Sequence, residues 1–330
     1  MQKTIEEFQE MQPVVMKRLQ GAYAKDRLAH AYLFEGPAGS GVTEVTHFFV
    51  KLLLCENPAE NVPCETCRSC QLYNSGNHPS IVFIEPDGQN IKIDQIRELI
   101  FNMNKTGFST GRKIYVIQDA DRMNNASANA LLKFLEEPEM NVTAILLTER
   151  LNAIMTTIRS RCQLVSFQPL SRPKMMERLI GGGMTASLAA TVSMLTQNLD
   201  EAKELAADEA FIQQRKVVLK LVEAVNSNVH EALLLLQSDW LPVFKEKEDT
   251  ERGLDMLLFA YRDIASVKAG LETARTYPDM DELWKQMALQ RSYPVLSKQL
   301  QAVLLAKQQL PRNMNRTLLM EQLMLNLQEG

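Results

Sequence analysis

Five short apolar, strand-like runs alternate with helical stretches over the first 170 residues of the chain, and from about residue 208 no strand-like alternation survives. They are AYLFEG (31–36), SIVFIEP (80–86), KIYVIQD (113–119), TAILLT (143–148) and QLVSF (163–167). Runs this uniformly apolar suit strands buried on both faces, and strands that alternate with helices are joined by crossovers. The pattern therefore predicts a parallel α/β sheet covered on both sides. The intervening helices are expected over 42–54, from Asp94 in DQIRELIFNMN, and over 125–137 in NASANALLKFLEE.

After Pro169 the texture changes. PLSRPKMMERLI reads as a Pro-flanked helix start, GGG at 181–183 punctuates, and helical spacing resumes up to about residue 207. From about 208 only amphipathic Leu/Met/Ala-rich segments follow, among them FIQQRKVVLKLVEAV, GLDMLLFAYRDIASV and NRTLLMEQLMLNL. The expected organisation is an α/β domain over 1–170, a small helical domain over 171–207 and an all-α domain over 208–330. A length of 330 residues suits two or three domains at roughly 100–200 residues each.

With 36 Lys+Arg against 40 Asp+Glu, the net charge of −4 excludes a globally basic nucleic-acid or membrane binder. MQKTIEEFQEM lacks the layout of a signal peptide, and the most apolar run, FFVKLLL, is short and broken by Lys51. The chain reads as cytosolic, with no membrane contact.

EGPAGSGVTEV (35–45) sits between a strand and a helix, where backbone N–H groups and the helix dipole cradle phosphate. Gly36, Gly39, Gly41 and Thr43 fit the form G-x-x-x-x-G-K-[ST], but Val42 stands where that loop has its lysine. The hydroxyl of Thr43 keeps the magnesium-ligand type, while the charge that neutralises the β- and γ-phosphates is gone. The acidic pair expected at the end of a later strand is altered too, since KIYVIQDAD offers Gln118 and Asp119. A plain strand-to-helix turn is the simpler alternative for 36–43, and the backbone cradle leaves weak nucleotide binding open.

Four of the five cysteines, Cys55, Cys64, Cys67 and Cys70, form C-x8-C-x2-C-x2-C. Thiolates at x2 spacing can reach one tetrahedral zinc, and four of them close the site against water, which points to a structural Zn²⁺ in an insertion over 55–78. The competing reading makes Cys55 a buried core thiol, with His78 or nothing completing the site, and the spacing does not exclude an iron–sulfur cluster. Near the end of the α/β region, TTIRSRCQLVSF places Ser160, Arg161 and Cys162 just before the last strand. An arginine there can reach a neighbouring subunit's γ-phosphate; alone, Arg159 or Arg161 reads equally as a solvated surface cation.

Taken in order, HAYLFEGPAGSG, the four-cysteine insertion, IKIDQIREL, ASANALLKFLEEP and TTIRSRC resemble the clamp-loader subunits of the AAA+ class, densely over residues 12–170 and diffusely afterwards. The missing lysine groups the chain with members that do not hydrolyse ATP. The resemblance implies a RecA-like sheet order, a lid over 171–207 and an oligomerising collar over 208–330. It also implies zinc on Cys55, Cys64, Cys67 and Cys70, and Arg161 of an S-R-C motif acting in trans on ATP held by an adjacent motor subunit. Thr148 occupies the nucleotide-sensing position. The implied setting is a hetero-pentameric ring with tau/gamma-type ATPase and delta subunits, loading a sliding clamp onto primed DNA as part of a DNA polymerase III holoenzyme in the bacterial cytoplasm, with no intrinsic ATPase. Two other classes compete: an autonomous P-loop ATPase that tolerates Val42, and a zinc-module nucleic-acid binder, for which the knuckle offers chiefly Arg68 and Tyr73.

Overall fold

The computed structural model describes residues 5–104, 111–137, 141–312 and 315–329. Pro138, which ends the quoted ASANALLKFLEEP motif, and the first four residues of the N-terminus lie outside them. The five apolar runs form β1 (Ala31–Glu35), β2 (Ile81–Ile84), β3 (Lys113–Ile117), β4 (Val142–Thr148) and β5 (Gln163–Ser166). All pairings are parallel and the strand order is β2-β3-β4-β1-β5.

The period-two geometry of a strand sends alternate residues to opposite faces, and here both faces meet helices. Tyr32, Phe34, Ile114, Val116, Ile145 and Leu147 pack with Val45, Phe49 and Leu52 of α3 (Val42–Leu54). Leu33, Tyr115, Ile117 and Leu146 face the other way, onto Ile96 and Leu99 of α5 (Ile93–Asn104) and Leu131 and Leu135 of α6 (Asn125–Glu136). α6 starts where it does because the Asn124 side chain accepts from Ser127 N. α1 (Ile5–Met11) and α2 (Pro13–Ala24) precede the sheet, α4 (Arg68–Asn74) lies in the cysteine insertion, and α7 (Thr156–Arg159) leads into β5.

The chain divides into two compact units, Met1–Leu170 and Ser171–Gly330. The second is helical throughout its regular elements: α8 (Arg172–Gly181), α9 (Ala186–Leu195), α10 (Leu199–Ala207), α11 (Glu209–Ser227), α12 (Val229–Leu235), a π-helical turn (Leu236–Trp240), α13 (Leu241–Val243), α14 (Lys247–Lys268), α15 (Asp281–Gln290), α16 (Tyr293–Gln309) and α17 (Arg316–Glu329). Asp208 closes α10 and caps α11, its side chain accepting from Ala210 N. Among the described residues no helix is long and apolar enough to cross a membrane.

A polar network lies inside this second unit. Arg172 donates to the carbonyls of Ala190, Ala274 and Arg275, and Arg215 pairs with Asp279 at 2.6 Å while donating to Thr191 and Ser187. Asp263, 3% exposed, accepts from Thr276 N at 2.6 Å, Tyr277 N at 3.0 Å and Thr276 Oγ1 at 3.3 Å. Burial pushes its carboxyl above the ordinary range, while the two backbone donors pull it back. Asp263→Ala would strand both N–H groups in the interior, so urea denaturation of the full chain is expected to show a loss of about 2–3 kcal/mol, less for Asp263→Asn, which keeps an acceptor.

Candidate functional site

β1 delivers the chain into the glycine loop, and each glycine there has a backbone reason. Gly39 and Gly41 sit at φ 76° and 86°, a left-handed conformation that disfavours any side chain. A Cβ on Gly36 would stand 2.7 Å from both Phe167 Cβ and Ser40 Oγ. The loop is held from behind by Gln12, between α1 and α2. Its buried amide donates to Ser40 O at 2.7 Å and Gln168 O at 2.6 Å, and accepts from Gln168 N at 3.3 Å. Gln12→Leu is isosteric but leaves these groups unpaired, and is expected to destabilise the α/β unit by about 2 kcal/mol in chemical denaturation.

The loop opens onto a cavity of about 100 Å³ lined by Gly36, Gly39, Gly41, Val42, Thr43, Gln118, Asp119 and Thr148, as the sequence brings them together. Small-molecule sites run to about 300–1,000 Å³, so this is a shallow cleft. Its other walls include Glu44 and Glu149, and no lysine or arginine lines it among the described residues. Asp119, itself at φ 45°, is 3.4 Å from Arg122. No side-chain cation lines the cleft to neutralise a triphosphate, and of the three carboxylates there Asp119 is already paired with Arg122.

Thr148 ends β4 on the cavity wall, but its hydroxyl is spent. Oγ1 donates to Asp121 Oδ1 at 2.9 Å and accepts from Arg150 N at 3.0 Å, while Arg150 pairs with the other oxygen of Asp121 at 2.7 Å. A hydroxyl has one proton to give, and here Asp121 has it. Nothing in the sequence marked Asp121 for this role, because its partner is 27 residues away.

The four cysteines of the insertion converge, with their sulfurs all within 4.8 Å of one another. Tetrahedral Zn–S bonds of about 2.3 Å put sulfurs about 3.8 Å apart, and Cys55 Sγ and Cys67 Sγ are 4.0 Å apart. Backbone N–H groups of Cys64, Cys67 and Cys70 donate to the sulfurs of Cys55, Cys64 and Cys67. The backbone N–H groups of Thr66 and Cys67 hold the Cys64 thiol down to about 6, whereas burial pushes Cys55 and Cys70 up. The set fits a structural metal such as zinc: four soft ligands at bonding separation and no place left for water. His78 is not among them, since its Nε2 meets Ser69 Oγ and its Nδ1 accepts from Ser80 N. Tyr73 turns inward to His47 Nδ1, leaving Arg68 as the exposed member of the pair proposed for nucleic acid. The module is also tied to α3 by Lys51–Glu65 at 2.5 Å.

Arg161 lies between α7 and β5, the strand at one edge of the sheet. It is not a freely solvated cation: Nη2 is 2.6 Å from Glu136 Oε1, and Nη1 donates to Thr157 O at 2.8 Å. Ser160 is exposed, and the half-buried Cys162 thiol is pushed up to about 12 by desolvation, which makes it an inert neighbour.

The five-stranded parallel sheet in this order, the strand–glycine loop–helix at its centre, the cysteine insertion and the all-helical second unit define a RecA-like AAA+ protein. A family model described as DNA polymerase III, delta subunit, matches residues 11–171, and one for the C-terminal part of that subunit matches 209–329. The DNA polymerase III subunit delta' of Bacillus subtilis is 43% identical over 325 residues, 98% of each chain. Its counterpart from Escherichia coli is 34% identical over 155 residues, 46% of each chain. The tau subunit of Bacillus subtilis is 26% identical over 302 residues, covering 84% of this chain and 53% of its own. The chain belongs to the DNA polymerase III delta-prime subunit family.

Proposed function

We propose that this chain is the non-hydrolysing, stator-like subunit of a clamp loader. It would assemble with tau/gamma-type ATPase subunits and a delta subunit in a five-membered ring that places a sliding clamp on primed DNA. Residues 171–207 would serve as the lid and 208–330 as the collar. The observation that carries the reading is the phosphate loop itself: its backbone is retained, its lining is acidic with Val42 in place of a cation, and the Thr148 hydroxyl is committed to Asp121.

An autonomous ATPase has no support at this cleft, because it lacks charge of the right sign for a transferring phosphoryl group. What remains for this chain to contribute to hydrolysis is Arg161, offered from the end of the sheet to a neighbour's nucleotide. Cys55, Cys64, Cys67 and Cys70 would hold zinc, which would cross-link the insertion and supply no catalytic step. The test is ATP hydrolysis by the loader reconstituted with Arg161→Ala. A rate equal to that of the native assembly would remove the trans-acting arginine.

A further inference from the structure

α6 ends at Glu136, directly after Leu135, whose side chain is 2% exposed in the core between α5, α6 and the sheet. The Glu136 carboxylate is therefore presented from a fixed platform. It meets the guanidinium of Arg161 at 2.6 Å, and the two side chains are 49% and 33% exposed. The other contacts of this guanidinium, Thr157 O at 2.8 Å and Ser160 Oγ at 3.5 Å, come from its own segment. Glu136 is the contact that ties the fork to the body of the domain. The side chain of Arg159, two residues away, makes no hydrogen bond or ion pair with any described residue, and its backbone N–H donates to Met155 O at 3.0 Å.

We propose that Glu136 is a positioning residue for Arg161, holding its guanidinium in the orientation in which the remaining N–H groups can be offered to a nucleotide on the adjacent subunit. This rests on the trans-arginine reading above. An arginine has five N–H donors in a rigid fork. The contacts to Glu136 and Thr157 use one on each terminal nitrogen, so Nε–H and the second Nη2 N–H have no partner among the described residues. The charge is thus oriented without being used up.

The sign of the effect follows from the strength of the contact. A half-exposed ion pair biases a conformation by about fivefold at most, which is enough to narrow the rotamers of a long side chain. It is far too little to lock the arginine away from a magnesium-bound triphosphate. Removing Glu136 should therefore slow the reaction through disorder of Arg161, and should not release a brake.

The experiment uses the full chain in a loader reconstituted with its ATPase and delta subunits, measuring kcat and KM for ATP in the presence of clamp and primed DNA. Glu136→Ala is expected to lower kcat about two- to fivefold with KM and assembly unchanged. Glu136→Gln, which keeps an acceptor for Nη2, should recover most of the loss and also serves if the alanine variant folds poorly. In an Arg161→Ala background, Glu136→Ala should do nothing further. An equal loss in both backgrounds would overturn the proposal while leaving the arginine's role standing, and a faster Glu136→Ala enzyme would overturn it in favour of a parking contact. If Arg161→Ala alone leaves the rate unchanged, the trans-arginine reading fails first and the proposal falls with it.

Discussion

Protein purified without chelators is expected to carry about one equivalent of zinc, and stripping it is expected to unfold the cysteine insertion while the sheet stays folded. The reason is what the insertion is made of. Its buried cluster consists of Cys55, Cys67 and Cys70 with Cys64 packed against them, so without the metal there is no apolar core of its own to hold it. Glu60, Asn61 and Glu65 all sit at positive φ, between 51° and 61°, and such residues cost roughly 1–2 kcal/mol each. α4 spans seven residues, and an isolated helix of that length is not stable in water. Structural zinc supplies on the order of 10–16 kcal/mol in comparable small sites, which outweighs these terms together. Cys70→Ser should abolish stoichiometric zinc. Hydrogen exchange should rise sharply over 55–78 on chelation, and the strands β1, β3 and β4 should keep their protection. A metal-free protein with the insertion still protected would sink the prediction.

The sheet is legible because parallel strands covered on both faces must be apolar at nearly every position, a demand that β1, β3 and β4 meet, while the edge strand β5 leaves Gln163 and Ser166 exposed. Four of the five runs extend a little past their strands, and β4 starts one residue before its run, at Val142. Gly36, for instance, belongs to the loop, where close approach of Phe167 admits no side chain. Helix starts at Val42 and Asn125 matched because their determinants are local: a left-handed Gly41 and a capping Asn124. The glycines of the loop also show why a phosphate motif can outlive its chemistry, since the turn and the packing of β1 against Phe167 require them whether or not a nucleotide binds. Pairs made across long sequence separations left no trace. Gln12 meets Gln168, Asp121 meets Thr148 and Glu136 meets Arg161 through side chains whose types are common on any surface. Only the fold brings them together. The same holds for the network around Arg172, Arg215 and Asp263, invisible beneath an amphipathic pattern that records apolar faces alone.

Arg161→Ala, in a loader assembled with its ATPase and delta subunits, is expected to slow hydrolysis at the one site this chain would serve by about 10³-fold or more, equivalent to roughly 4 kcal/mol of barrier. The magnitude follows from where charge develops. A loose phosphoryl-transfer transition state spreads negative charge over the equatorial oxygens, and a guanidinium supplied from the neighbouring subunit answers it in a site from which water is excluded. Val42 and the acidic lining of the chain's own cleft leave it no comparable task in cis. Arg161→Lys keeps the charge but not the fork, so it should recover only part of the rate. Folding is not at stake, because the pair with Glu136 is half-exposed and such pairs contribute about 1 kcal/mol or less; melting temperatures should barely move. Arg159→Ala, on the same segment and with no side-chain partner among the described residues, should leave the rate unchanged. Rapid-quench measurement of the first turnover separates this site from the loader's other ATP sites: the native assembly should show the full burst, and Arg161→Ala should lose the share belonging to one site. A full burst in Arg161→Ala would show that the arginine paired with Glu136 only holds the end of the sheet together.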